Sequence, residues 1–332
     1  MPHNLLASGG ALGALPARFR RPRLLIVGCG DVGVRVVRAL SIPPSPAPMA
    51  QPPRPRLTVR ALTSSPDRVP ALRAMGATPL QGNLDAPATL RRLAGIATHV
   101  LHLAPPPTTD GLATDPRTAR LLRALRRGWA PTLVYGSTTG IYGDQGGRWI
   151  DETAAPSART PRALRRVSAE RHVRFYARSS GARAAVLRIP GIYAPDREGG
   201  TPEARLRRGT PVLEAGDDVY TNHIHADDLA RALIAALWHG APLRVYHASD
   251  DTELKMGDYF DFAADRYGLP RPPRIARAQA QAQLPPTLLS FMSESRRLRN
   301  DRLKQELGVR LRYPTVAEGL GDDPFGDALI GV

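Results

Sequence analysis

Gly28, Gly30 and Gly33 lie at G-x-G-x-x-G spacing in the run Gly28-Cys29-Gly30-Asp31-Val32-Gly33. Residues of this kind act through the backbone. The first glycine permits a tight turn, the second lets an anionic diphosphate approach with no Cβ in the way, and the third lets helix and strand pack closely. Asp31 and Val32 open the segment that follows, whose exposed N–H groups and positive helix end would face phosphate. Such a triplet carries weight only in context. Here Leu24-Leu25-Ile26-Val27 precedes it as a buried parallel strand, and Val34 to Leu40 follows as a helix with Val36, Val37 and Leu40 on one side. Strand, tight turn and helix together predict a dinucleotide phosphate site.

Composition narrows the class. The chain has 332 residues, enough for one large or two modest domains with a real core, and 42% of them are hydrophobic. No apolar run approaches the roughly 18 residues of a membrane span. A single cysteine, Cys29, rules out an intramolecular disulfide and fits a reducing, cytoplasmic setting. The net charge of +16 suggests nucleic acid, yet 44 of the 46 basic residues are arginines spread over nearly every segment. Only Lys255 and Lys304 are lysines, and no basic–aromatic stripe is present. The pattern fits a basic cleft for a small anionic ligand better than a nucleic-acid surface.

The elements that would position a site alternate along the chain. Strands are expected at Leu57–Leu62, Thr78–Leu80, His99–Leu103, Thr132–Tyr135 and Ala184–Ile189. Helices are expected at Pro66–Met75, Pro87–Leu93, Thr114–Arg127 and Arg159–Arg178. Alternation of this kind implies a parallel sheet covered on both faces. The fold class is therefore α/β: a Rossmann-like, doubly wound parallel sheet over residues 23–190. A small mixed C-terminal substrate region over 191–320 is interleaved with the last sheet strands. That region holds a helix at Ala226–Trp238, a strand at Leu243–His247 and a late helix at Arg296–Leu307. Residues 1–22 read as a disordered leader and 321–332 as a tail. Residues 41–56 carry seven prolines and read as an extended insertion.

The end of the second strand speaks to cofactor choice. Sites for NAD place a carboxylate there to accept from the ribose hydroxyls. This chain has Thr63, Ser64 and, shortly after, Arg68. Hydroxyls and a guanidinium suit a 2′-phosphate, so NADP is expected, with NAD as second choice. The alternative for Arg68 is a solvated residue at a helix start.

Three further runs bring a family into view. Tyr135-Gly136-Ser137-Thr138-Thr139-Gly140-Ile141-Tyr142-Gly143 follows the fifth strand, and Leu187-Arg188-Ile189-Pro190-Gly191-Ile192-Tyr193-Ala194-Pro195 follows the sixth. His223-Ile224-His225-Ala226-Asp227-Asp228-Leu229-Ala230 opens a helix. With the glycine loop, these resemble the NAD-dependent epimerase/dehydratase family, the extended branch of the short-chain dehydrogenase/reductases, over about residues 23 to 320. They resemble most its small atypical bacterial members. The resemblance implies that Thr138 hydrogen-bonds the substrate carbonyl and that Asn83 and Leu84 lie beside the adenine. It also implies that Leu103, Ala104 and Pro105 run along the cofactor and that Pro190 and Gly191 lie near the nicotinamide carboxamide.

One family feature is missing. The family uses a tyrosine as proton donor or acceptor and a lysine four residues on, and counting back from Glu170 places these at Arg162 and Arg166. Arginine keeps its proton at any working pH and cannot cycle as acid and base. Tyr142, four residues after Thr138, is the candidate substitute acid. Arg162 and Arg166, at i, i+4 on one helix face, form either an anion site for a substrate carboxylate or phosphate, or a solvated surface. His223, His225, Asp227 and Asp228 read as a strand and a helix start, and no metal is expected. The resemblance thus implies an NAD(P)-dependent oxidoreductase or epimerase-like protein acting on a small carbonyl or hydroxyl substrate, with a degenerate Tyr/Lys pair. The alternative is a non-catalytic NADP-binding sensor. No nucleic-acid or membrane partner is expected, and the chain is expected as a monomer or homodimer.

Overall fold

Every side chain of Leu24-Leu25-Ile26-Val27 is buried, because both faces of this strand are covered. The computed structural model describes residues 21–41, 57–108, 113–128 and 131–321. The expectations for the leader, the proline-rich insertion and the tail therefore lie almost wholly outside the described residues. The strand is β1 (Arg23–Val27), and the glycine turn leads from it into α1 (Asp31–Ser41). The chain continues through β2 (Thr58–Thr63), α2 (Val69–Ala74), β3 (Thr78–Gln81), β4 (His99–His102), α3 (Pro116–Leu125) and β5 (Thr132–Thr138). Next come β6 (Trp149–Ile150), α4 (Pro161–Ser180), β7 (Ala184–Ile189) and β8 (Gly191–Tyr193), followed by α5 (Glu203–Arg207), β9 (Val212–Leu213), β10 (Tyr220–Thr221) and β11 (His223–His225).

Seven parallel strands form one sheet in the order β12-β7-β5-β4-β1-β2-β3, where β12 is Val245–His247. The order reverses between β1 and β4. In such sheets the crevice at the carboxyl ends of the strands on either side of the reversal is where ligands bind. Gly28 ends β1 there and Leu103 follows β4. Helix α1 packs against α6 (Ala226–His239) on one face, and α3 and α4 cover the other, giving two aliphatic layers. A third core around Leu206, Val212, Phe260 and Ala263 belongs to the C-terminal region.

Local chemistry fixes the helix that carries the candidate pair. Thr160 caps α4 by accepting from the Ala163 N–H, Pro161 occupies its first turn, and Gly181 closes it with a left-handed conformation. The elements differ from expectation at several points. Pro87–Leu93 is a 3-10 helix rather than an α-helix. Residue Leu243 has φ 59 and lies outside β12. The late helix is split: Arg297–Leu298 forms a strand parallel to β6, and only Asp301–Gln305 is helical. Helical propensity at 296–300 yields there to hydrogen bonds from Arg297 and Arg299 N–H to the Arg148 and Ile150 carbonyls.

Candidate active site

The cleft at the reversal point has a volume of about 280 Å³ and gathers residues from six helices and strands and the loops between them. The glycine loop supplies one wall. Gly28 has φ +87, and a Cβ there would sit 2.3 Å from the Ala104 amide nitrogen, so the ends of β1 and β4 meet only because the residue is glycine. Gly30 faces open space, with nothing within 4 Å of an added Cβ. Gly33 sits close against Cys29, 3.2 Å from Sγ to an added Cβ. The loop thus has room at its centre and close packing at both flanks, the shape needed to hold a diphosphate at a helix start.

Asp31, Val32, Leu103, Thr138, Arg166 and Pro190 line the same cleft. Gly191 lies next to Pro190, while Ala104 and Pro105 follow Leu103 without lining the cleft. Thr63, Ser64 and Arg68 stand at the carboxyl end of β2. The Thr63 hydroxyl is engaged by its own turn, through Ser65 N and Ser65 O at 3.2 Å. Ser64 and Arg68 are exposed. Arg68 has no carboxylate partner among the described residues, and its charge opposes the rise that burial imposes on the Cys29 thiol pKa, which sets it near the glycine loop. Asn83 closes a turn, its Oδ1 accepting from the Asp85 N–H at 2.9 Å, and Leu84 is buried in the sheet core.

Strand β5 runs on through Ser137 and Thr138, three residues further than the sequence suggested, and carries both hydroxyls into the cleft. Their protons point in different directions. The Thr138 oxygen accepts from the Gly140 N–H at 3.2 Å, which leaves its own proton free to donate to a substrate oxygen. Ser137 donates to Glu170 Oε1 at 2.6 Å and so offers the cleft only an acceptor. Burial acts to raise the Glu170 pKa, but the Arg188 guanidinium, bonded at 3.2 and 3.0 Å, outweighs it and holds the carboxyl below its usual range. The buried Glu170–Arg188 pair and the role of Ser137 were not assigned from sequence. The only sequence signal was that Glu170 stands four residues after Arg166, and a charged residue on a helix reads as exposed until the packing is known.

Tyr142 does not occupy the place expected of a proton donor. Its side chain is fully buried outside the cleft lining, with its hydroxyl 2.5 Å from His247 Nε2 and 2.6 Å from Arg188 Nη1. His247 Nδ1 lies 2.8 Å from the Arg299 carbonyl and must donate to it. Burial lowers the His247 pKa to about 4, so the ring is neutral and Nε2 is an acceptor. Tyr142 therefore donates its proton to His247, away from the cleft, and burial pushes its own pKa up to about 12. The 3-10 turn at Thr139–Tyr142 rotates the residue inward, which spacing alone did not reveal.

The two arginines separate. Arg166 lines the cleft, donating from Nη1 to the Gly136 carbonyl at 2.8 Å and to the Tyr135 hydroxyl at 3.0 Å, and it has no carboxylate partner among the described residues. Arg162 does not line the cleft. Its guanidinium lies 4.5 Å from the centre of the exposed Phe291 ring. Burial, together with Arg166 and Arg296, lowers the Arg162 pKa against an opposing Glu294. Arg35 is a further buried cation, at 7% exposure, that the helical pattern left unassigned. It binds Asp31 and, at 2.6 Å each, Asp196 and Asp227. Among the described residues no group of three or more His, Cys, Asp or Glu could hold a metal ion. No helix among them is long and apolar enough to cross a membrane.

With this geometry in view, the class is defined by residues 53–248, which match the NAD dependent epimerase/dehydratase family: the chain belongs to that family. Among particular relatives, a 3-diazoavenalumate denitrifying reductase from a Streptomyces species is 30% identical over 210 residues, spanning 61% of this chain and 68% of that protein. A functionally unknown conserved protein from Silicibacter pomeroyi has a solved structure that is 32% identical. It covers 90% of this chain and 96% of its own, at a TM-score of 0.71. The fold is also that of DesIV, a dTDP-glucose 4,6-dehydratase from Streptomyces venezuelae solved with NAD. DesIV is 20% identical, with 90% of this chain and 94% of that one covered, at a TM-score of 0.69.

Proposed function

We propose that this protein is an NADP-dependent reductase or epimerase-like enzyme for a small carbonyl or hydroxyl substrate, with electrostatics in place of the missing Tyr/Lys pair. The observation that carries the reading is the meeting, in one cleft, of the glycine loop, the Thr138 hydroxyl and an Arg166 cation with no carboxylate partner among the described residues. The residues fit a nicotinamide dinucleotide: a Gly28–Gly33 cradle that a Cβ would obstruct, Leu103 and Pro190 along it, and Arg68 with Ser64 for a 2′-phosphate. Bound there, the nicotinamide supplies or takes up a hydride. Thr138 orients the substrate oxygen by donating to it. Arg166 stabilises the negative charge that develops on that oxygen, an electrostatic effect of the oxyanion-hole kind. Ser137, its proton held by Glu170, accepts from a substrate hydroxyl. The net proton comes from solvent at the open mouth of the cleft, because Tyr142 is turned away.

A second reading, an NADP-binding protein without turnover, is favoured by one feature. Asp31 is the one carboxylate that lines the cleft, and it is committed to Arg35 and Arg197. One experiment separates the readings. Purified protein is titrated with NADPH and NADH by fluorescence, then mixed with a panel of aldehydes, ketones and keto acids while absorbance is followed. Tight NADPH binding with oxidation supports the enzyme, and tight binding without oxidation across the panel supports the sensor. Absence of binding overturns both.

A further inference from the structure

Arg197 reaches the glycine loop from 166 residues away in sequence. It sits on the turn that follows β8, and that turn is fixed without its side chain. The Arg197 N–H donates to the Ala194 carbonyl at 3.2 Å, the Gly200 N–H donates to the Arg197 carbonyl at 2.8 Å, and Gly199 takes φ +64. The neighbouring Asp196 carboxylate accepts from buried Arg35 at 2.6 Å, which ties the turn to α1. The Arg197 side chain then extends along the cleft beside Gly30, Val32 and Gly33. Its Nε donates to Asp31 Oδ2 at 3.2 Å and its Nη1 to the Ile192 carbonyl at 3.3 Å. A guanidinium has five N–H donors, so these two bonds leave the others open to the cleft.

Asp31 explains why a cation is needed there. As the first residue of α1 its carboxylate suits a bare helix N-terminus, but it stands where an anionic diphosphate would bind and would repel it. Arg35 is buried and answers three carboxylates at once. Arg197 is the cation that both touches Asp31 and lines the cleft.

We infer that Arg197 is a diphosphate-binding residue of the cofactor site: it donates its open N–H groups to the diphosphate oxygens while shielding Asp31. The inference rests on the reading of the cleft as a dinucleotide site. Arg197 is carried to the diphosphate site by the fixed 194–200 turn, so that the C-terminal region contributes to a site otherwise built by the first βα unit.

The test uses full-length protein and NADPH fluorescence, with ADP and adenosine as competitors, on the wild type, Arg197→Ala, Arg197→Lys and Asp31→Asn. A charge-assisted hydrogen bond to phosphate predicts that Arg197→Ala weakens NADPH and ADP by about tenfold to a hundredfold. Adenosine competition is unchanged, and Arg197→Lys restores part of the loss. Asp31→Asn, which removes the repelling charge and frees Arg197, tightens ADP several-fold, and the gain shrinks when Asp31→Asn is combined with Arg197→Ala, a dependence that a merely structural role for Arg197 would not produce. The melting temperature of Arg197→Ala stays near that of the wild type, because Asp196 still holds the turn. Wild-type affinity for ADP in Arg197→Ala overturns the inference and leaves the dinucleotide reading intact. An equal loss for ADP and adenosine also overturns it, since the damage is then not at the diphosphate. A wild type that binds neither NADPH nor ADP removes both.

Discussion

Replacing Glu170 by glutamine tests the buried polar network that holds the cleft together. Glu170 is 1% exposed and accepts from Ser137, Arg174 and Arg188, while Arg188 is 2% exposed and also holds the Tyr142 hydroxyl. Glutamine keeps the shape but puts an N–H group against guanidinium N–H groups and leaves the Arg188 charge buried and uncompensated. Breaking a buried ion pair from one side costs about 3–5 kcal/mol. At roughly 2 °C per kcal/mol for a chain of this size, the melting temperature falls by about 6–10 °C. The sign of the pH dependence follows from the depressed carboxyl. The folded-state pKa of Glu170 lies below its ordinary 4.5, so the stabilisation is fully present above that value and is lost as pH falls through the folded pKa. The gap between wild type and Glu170→Gln is therefore wide at pH 7 and narrows under acid conditions. Denaturant unfolding followed by circular dichroism at several pH values measures it. Pairing the change with Arg188→Met recovers much of the loss, because removing both charges leaves none buried alone. A variant within about 1 kcal/mol of wild type at pH 7, a gap that does not change with pH, or a double variant as unstable as the sum of the singles would each refute the reasoning.

The remaining expectations concern the cleft. Thr138→Ala lowers turnover by more than about tenfold with little change in NADPH affinity, measured as separate kcat and cofactor titrations. Tyr142→Phe strands the Arg188 and His247 groups it joins and lowers stability by about 1–3 kcal/mol. Its pH–rate profile keeps the wild-type shape, and loss of one limb of that profile would restore Tyr142 as the proton donor. Gly28→Ala forces a Cβ to 2.3 Å from the Ala104 amide at φ +87; it weakens NADPH binding and lowers the melting temperature together. Arg68→Ala reduces NADPH affinity about tenfold or more and leaves NADH affinity unchanged, and equal effects on both would refute the assignment of Arg68 to the 2′-phosphate.

Much of the scaffold is legible in the sequence. The β1–turn–α1 unit, the alternation through Ile189 and the basic end of β2 follow from local pattern, because a buried parallel strand must be apolar throughout and a glycine turn must have its residues at fixed spacing. The same reasoning failed at Arg296–Leu307, where a helical pattern gave way to strand pairing with Trp149–Ile150, a contact across 148 residues that no local window contains. It failed too at Tyr142. Its distance from Thr138 along the chain placed it at the cleft, but a 3-10 turn swung it inward to His247 and Arg188.

By itself the sequence determined where a dinucleotide could be gripped and that the usual acid–base pair is absent, since glycine spacing and residue identity are properties of the chain alone. Tertiary structure decided which charges matter. Among the 46 basic residues, folding selected Arg35 and Arg188 for burial, Arg166 for the cleft and Arg197 for the glycine loop. A guanidinium carries the same charge everywhere in the sequence, and its effect depends on which carboxylate, hydroxyl or open space the packing places beside it.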